Sequence, residues 1–259
     1  MRRIQMNEKE SIHEMKNQQI EERGDDEFVH IHHHRHEGHS QDLCIQVVPI
    51  FNHLEVEQME EIMKVTKFTS YKKGEVLYRE GDTSDFLYIV SKGKIRIYRL
   101  SESGKEQLVR ILNPGDFTGE LALFRESIHE SYAEAMSETN VCMISRNDLQ
   151  GLLLKYPTIS LKVLSEFSNR LEKSEKQTTR FATEKVETRI GLFLAECLEK
   201  GNNSMEIELP MSKKDLASYL GTTPETISRK LADLEEEGYI KQKAKRKIKI
   251  LDLDGLLLV

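Results

Sequence analysis

The chain has 259 residues, 32% of them charged, a net charge of −6 and three cysteines. It is long enough for two modest domains, holds no apolar run near the roughly 18 residues a membrane span needs, and opens on a polar stretch without the apolar core of a secretion signal. Three scattered cysteines exclude a secreted disulfide framework. A soluble cytoplasmic protein with no membrane partner is expected, and any surface for nucleic acid must be a local basic one.

Residues 1–40 make a charged, Gln- and His-rich arm nearly free of large aliphatic side chains, a composition compatible with disorder. Across its end runs HIHHHRHEGHSQDLC, His30 to Cys44, which places six of the nine histidines within ten residues. The run is interrupted, interior and followed by no linker, so it does not read as a purification tag. From Pro49 the character changes. HLEVEQMEEIMKV puts Leu54, Met59, Ile62, Met63 and Val65 on one face, which predicts a short amphipathic helix. Short apolar runs then alternate, as at Val76/Tyr78 and Ile95/Ile97, with Gly81, Gly93, Gly104 and Gly115 where turns are needed. Residues 41–155 are therefore expected to form a β-roll, sandwich or barrel.

Residues 156–182 return to helical period. PTISLKVLSEFSNRLEKSEKQTTRF starts at a proline and carries Ile159, Val163, Phe167 and Leu171 at four-residue spacing. The stripe could dock on the chain's own roll, but its narrowness and charged flanks favour a seam between two chains, so a long dimerisation helix is predicted.

Residues 183–259 begin with an amphipathic helix, EKVETRIGLFLAECL, on whose apolar face Cys197 is expected to be core. MSKKDLASYLGTTPETISRKLADLEEEGYI then reads as helix, tight turn at Gly221 and second helix, capped by Ser212 and Thr222. Leu216, Ala217, Leu220, Ile227, Leu231 and Leu234 fill the core side. The closing YIKQKAKRKIKILD predicts a basic hairpin. Together they predict a winged helix-turn-helix, whose second helix enters the DNA major groove by its N-terminal end. Arg229 can donate twice to guanine and Glu225 can accept from cytosine. Thr223, Thr226, Ser228 and Pro224 share that end, while Lys213, Lys230, Lys241, Lys243, Lys245, Arg246 and Lys247 suit phosphate contacts.

With NPGDFTGELALF in a glycine-punctuated roll, a long helix, and SYLGTTPETISRKL, the chain from about residue 44 onward resembles the CRP/FNR family of bacterial transcription regulators. The resemblance implies an α+β architecture of cyclic-nucleotide-binding-like β-roll, dimerisation helix and winged helix-turn-helix. It implies a homodimer that binds a palindromic promoter site in double-stranded DNA and contacts RNA polymerase. The Glu225-Thr226-Ile227-Ser228-Arg229 run resembles the FNR-like branch, including FNR-like proteins of Gram-positive bacteria. There Glu225, Ser228 and Arg229 match the residues that read a TTGA-type half-site. Cyclic-nucleotide members pair a Gly-Glu-Leu glutamate with an arginine about ten residues on. Here Gly119-Glu120-Leu121 is present, but the arginine position falls on Glu130, with Arg125 in the intervening loop. A carboxylate there repels a phosphodiester, so no cyclic nucleotide is expected and Glu120 is read as structural.

Oxygen-sensing members hold an iron–sulfur cluster with three N-terminal cysteines and one on a late strand. Cys44 and Cys142 match two of those positions, but the histidine run stands where the others would be, which argues against such a cluster. Three readings stay open. Cys44 and Cys142 form a reversible disulfide; or they bind zinc or another transition metal with two of His32, His33, His34, His36 and His39; or the arm is a solvated tail and Cys142 a buried apolar residue. A cupin-like metalloenzyme using these histidines is the alternative of a different class, but the later histidine motif a cupin needs is missing. No nucleophile triad, Walker loop or paired catalytic carboxylate is apparent, so no enzyme is expected.

Overall fold

A computed structural model describes residues 48–124, 126–199, 204–243 and 246–259. The first described helix is α1 (Val56–Val65), closed at its start by a reciprocal capping box between Glu55 and Gln58. It buries Ile62, with Met59, Met63 and Val65 packed beside it, as the spacing of its apolar residues predicts.

Eight strands follow: β1 (Thr66–Tyr71), β2 (Val76–Tyr78), β3 (Phe86–Lys92), β4 (Ile95–Leu100), β5 (Glu106–Leu112), β6 (Phe117–Thr118), β7 (Tyr132–Ala135) and β8 (Thr139–Ser145). They form two four-stranded sheets, ordered β1-β8-β3-β6 and β2-β7-β4-β5, with antiparallel pairing throughout. This is the expected roll. Gly93 shows why one turn must be glycine: its φ is +89°, and a Cβ would stand 2.5 Å from the Glu138 carbonyl oxygen. Gly119 is tighter still, with φ +81° and the Phe86 carbonyl oxygen 2.2 Å from any Cβ.

The period of two along a strand sorts its side chains between two cores. In β3, Tyr88 and Val90 point into the roll, while Leu87 and Ile89 point to a second, outer core. In β8, Val141 faces inward, and Cys142 and Ile144 face outward. Covering that outer face are Val48, Ile50, Phe51 and Leu54, then α1, then helices α2 (Arg146–Lys155) and α3 (Pro157–Thr183).

The packing corrects the expected seam. Ile159 and Val163 are buried in this outer core, and Phe167 packs against it and makes an edge-on contact with Phe124. Three members of the stripe thus serve the chain's own roll. Leu171 is exposed.

The C-terminal part has its own core, built by α4 (Val186–Glu199), β9 (Glu206–Glu208), α5 (Lys213–Tyr219), α6 (Pro224–Glu236), β10 (Ile240–Gln242), β11 (Lys247–Ile250) and α7 (Leu253–Leu257). Its three strands run in the order β10-β11-β9. Leu216, Ala217, Leu220, Ile227, Leu231 and Leu234 are all buried there, with Cys197 packed at the margin. No described helix is long and apolar enough to cross a membrane.

Candidate nucleic-acid interface

Helix α6 is set up by its first turn. Thr223 is the N-cap, its hydroxyl accepting from the Thr226 N–H at 3.2 Å, and Pro224 occupies the first turn, where a missing N–H is harmless. The expected cap, Thr222, instead donates its backbone N–H to the Ala217 carbonyl across the turn, at 2.8 Å. Ser212 does cap α5: its oxygen accepts from the Asp215 N–H at 3.1 Å, and its hydroxyl reaches the Asp215 carboxylate at 2.6 Å.

With Ile227, Leu231 and Leu234 turned inward, the 3.6-residue period presents Glu225, Ser228 and Arg229 to solvent. Glu225 is held below the ordinary carboxylate range by its own backbone N–H and then by the Thr223 hydroxyl. Arg229 is exposed, and its guanidinium carries five N–H donors in a planar fork.

The phosphate candidates divide. Lys230 pairs with Glu187 of α4 and, at 3.2 Å, with Asp233, which ties α6 to α4. Lys243 pairs with Glu206, Lys247 stands 3.8 Å from the same carboxylate, and Arg246 is 3.5 Å from Glu208. Lys213 donates to Gln242 at 3.1 Å, and Lys241 is exposed. The pairs in the wing are exposed and hence weak, so exchange for phosphate is open to them. Lys245 lies outside the described residues.

The roll holds a cavity of about 340 Å³ bordered by Tyr78, Arg99, Glu120, His129, Glu130 and Ser131, among others. Inside it Glu120 accepts from Arg110 of β5 at 2.9 Å and from Arg170 of α3 at 2.7 Å. Burial works to raise the Glu120 pKa, but the two guanidiniums outweigh it and leave the carboxyl below its ordinary range. Arg170 also donates to the Phe117 carbonyl and stacks over that ring, 4.1 Å from its centre. Glu120 thus links β5 to α3 through these ion pairs. Glu130 pairs with Arg99 at the exposed rim, at 2.7 Å. His129 stacks on Tyr78 with ring centres 3.6 Å apart, and burial lowers its pKa.

Arg110 and Arg170 were not singled out from the sequence. The signal for Arg170 was present: it follows Val163 by seven residues, on the roll-facing side of α3.

Of the metal and redox candidates, Cys142 is fully buried in the outer core. Cys44, His32, His33, His34, His36, His39 and the loop arginine Arg125 lie outside the described residues. Among the described residues, no group of three His, Cys, Asp or Glu side chains is placed to hold a metal.

An effector-type β-roll joined through a long helix to a winged helix-turn-helix with a free reading face defines a DNA-binding transcription regulator. Family models agree in both parts. The cyclic nucleotide-binding domain matches residues 68–156 and the Crp-like helix-turn-helix domain residues 188–258. The chain is 37% identical over 213 residues to the "Probable transcriptional regulator flp" of Lacticaseibacillus casei, covering 82% of this chain and 96% of that one. It is 31% identical over 226 residues to the "Anaerobic regulatory protein" of Haemophilus influenzae, covering 85% and 86%. Among solved structures, FixK2 from Bradyrhizobium japonicum superposes with a TM-score of 0.66 at 28% identity, over 74% of this chain and 96% of that one. The chain belongs to the CRP/FNR family of transcription regulators.

Proposed function

We propose that the protein is a homodimeric regulator of the FNR-like branch that reads TTGA-type half-sites through α6 and answers to thiol or metal chemistry at its N-terminal arm. The observation that carries the reading is the exposed trio Glu225, Ser228 and Arg229 on the first turns of a helix anchored by three buried apolar residues. Arg229 reads guanine and Glu225 cytosine. Lys213, Lys241 and the wing cations engage phosphate, with Ser212, Thr222, Thr223 and Thr226 lining the same approach.

The partner chain seats on a different face of α3 from the one its four-residue spacing suggested. Leu161, Leu164 and Leu171 are all more than half exposed. With Ser168 between them they follow the 3-4 spacing of a two-stranded coiled coil, opposite the roll-facing residues. A second copy buries this stripe against itself, and two-fold symmetry then matches a palindromic promoter site where RNA polymerase is contacted.

The roll is not a cyclic-nucleotide sensor on this reading: Glu120 is engaged by Arg110 and Arg170, and the rim position that needs an arginine is Glu130. Sensing is assigned instead to Cys44 and Cys142. Val48, Ile50 and Phe51 share the outer core with Cys142, and Cys44 precedes Val48 by four residues in the chain. Either a Cys44–Cys142 disulfide or a zinc-type site completed by two of the arm's histidines would tether the arm to the roll. The regulators among the relatives favour this over a cupin-like metalloenzyme.

Binding-site selection from randomised duplexes tests the reading. It should return a palindrome with TTGA-type arms about one helical turn apart. Enrichment of no sequence, or of a site without two-fold symmetry, would overturn it.

A further inference from the structure

Strand β5 is an edge strand of the β2-β7-β4-β5 sheet, so one side of its backbone is unpaired. Helix α5, the first helix of the helix-turn-helix, covers that edge. The Ser218 hydroxyl accepts from the Leu108 N–H at 2.7 Å and donates to the Glu106 carbonyl at 2.8 Å, satisfying both groups as a paired strand would. Gln107 Nε2 donates to the Ser218 carbonyl at 2.6 Å, and Arg96 of β4 stands 3.6 Å from Asp215. Leu108 is buried in the core of the DNA-binding part and not in the roll.

That placement has a cause in the strand itself. Ile97 of β4 pairs with Arg110 and the next residue, Tyr98, pairs with Leu108, so Val109 is an extra residue in β5. With Val109 in regular register Leu108, Arg110 and Leu112 would share one face. The bulge re-aims Leu108 outward to the helix-turn-helix, while Arg110 and Leu112 turn into the roll. Two residues apart, one strand therefore holds the DNA-binding part at Leu108 and, at Arg110, the half-buried Glu120 that Arg170 of α3 also grips.

We propose that β5 is a coupling strand, which transmits the state of the Arg110–Glu120–Arg170 junction between roll and long helix to the Ser218 dock and so sets the pitch of α6 toward DNA. The inference rests on the DNA-binding reading and adds its regulation: a signal that shifts α3 against the roll reaches the recognition helix through β5 as well as through α3 itself.

The test uses the full chain, with amide hydrogen exchange over residues 106–112 and operator titration as two readouts. Ser218→Ala removes the acceptor for the Leu108 N–H and should speed its exchange at least about tenfold, whereas Ser218→Thr keeps the hydroxyl and the protection. Arg170→Gln, which touches neither Ser218 nor Leu108, should speed exchange at the same amide at least about threefold and weaken operator binding about fivefold or more. Should Arg170→Gln not fold, Arg170→Lys, which keeps the charge but not the guanidinium fork, gives the same comparison. A folded Arg170 variant with unchanged Leu108 exchange would overturn the coupling, and an Ser218→Ala variant with unchanged exchange would overturn the dock. Absence of operator binding by the wild type would fall on the DNA-binding reading alone, and the exchange comparison would still decide the coupling.

Discussion

His129 shows how one residue type takes opposite roles in this chain. The clustered histidines of the arm are candidates for a metal, but His129 is buried, stacked on Tyr78, with its Nε2 unpartnered among the described residues. Burial lowers its pKa, against the pull of Asp82, Glu120 and Asp85. The unfolded imidazole therefore takes up a proton more readily than the folded one. Stability from this residue is complete above its ordinary pKa of 6.5 and falls as pH drops below that value. We expect wild-type protein to lose stability in urea between about pH 7.5 and pH 5.5. His129→Phe, which keeps the ring stack, should flatten that slope, and an unchanged slope would place the titration elsewhere. Glu120 is the opposite case. Its lowered carboxyl stabilises the fold above the ordinary carboxylate range and that contribution disappears only in acid. Glu120→Ala would leave Arg110 and Arg170 without their counter-charge in a half-buried site and should cost about 1–3 kcal/mol by denaturant unfolding.

At the scale of elements, α3 is where periodicity was read correctly and its partner was not. Four-residue spacing marked Ile159, Val163 and Phe167 as an apolar face, and they are one. What spacing cannot say is whether such a face meets the same chain or a second one, because burial has the same signature in both. The deciding information is the sheet: Leu87, Ile89, Cys142 and Ile144 form an outward apolar face, and Ile159 and Val163 are buried against it. Two adjacent residues now separate the alternatives. Val163→Glu places a charge in the outer core and should lower stability by several kcal/mol, whereas Leu164→Glu should leave the melting temperature close to wild type and yield monomers. Light scattering that finds Leu164→Glu still a monodisperse dimer would move the interface away from this stripe. The helix-turn-helix was legible almost residue by residue, since its core positions, Gly221 turn and Ser212 cap follow from local rules. The second cap was misplaced by one residue, Thr222 for Thr223. The pairing of Lys230 with Glu187 was not legible because the two lie on different helices, and the β5 bulge was invisible because one extra residue leaves no compositional mark.

For the whole molecule, the proposed function makes one device of the arm, the roll and the DNA-reading face. If Cys44 and Cys142 are the sensor, oxidant or metal should change operator affinity of the wild type five- to a hundredfold, on the order of 1–3 kcal/mol. Cys44→Ser and Cys142→Ser should each abolish that change in anisotropy titrations made with and without oxidant or metal. Deleting residues 1–40 distinguishes the mechanisms, because a disulfide switch survives it and a histidine-dependent metal switch does not. A double cysteine variant that responds as the wild type does would leave the arm a solvated tail. The most direct measurement is an anisotropy titration of a TTGA-type palindrome and a scrambled duplex, at one fixed salt concentration, with wild type and Arg229→Ala. Wild type should prefer the palindrome, and Arg229→Ala should lose about 1–3 kcal/mol on the palindrome with little change on the scrambled duplex. Equal affinity of the wild type for both duplexes, or an Arg229→Ala variant that discriminates between them as well as wild type, would contradict the account.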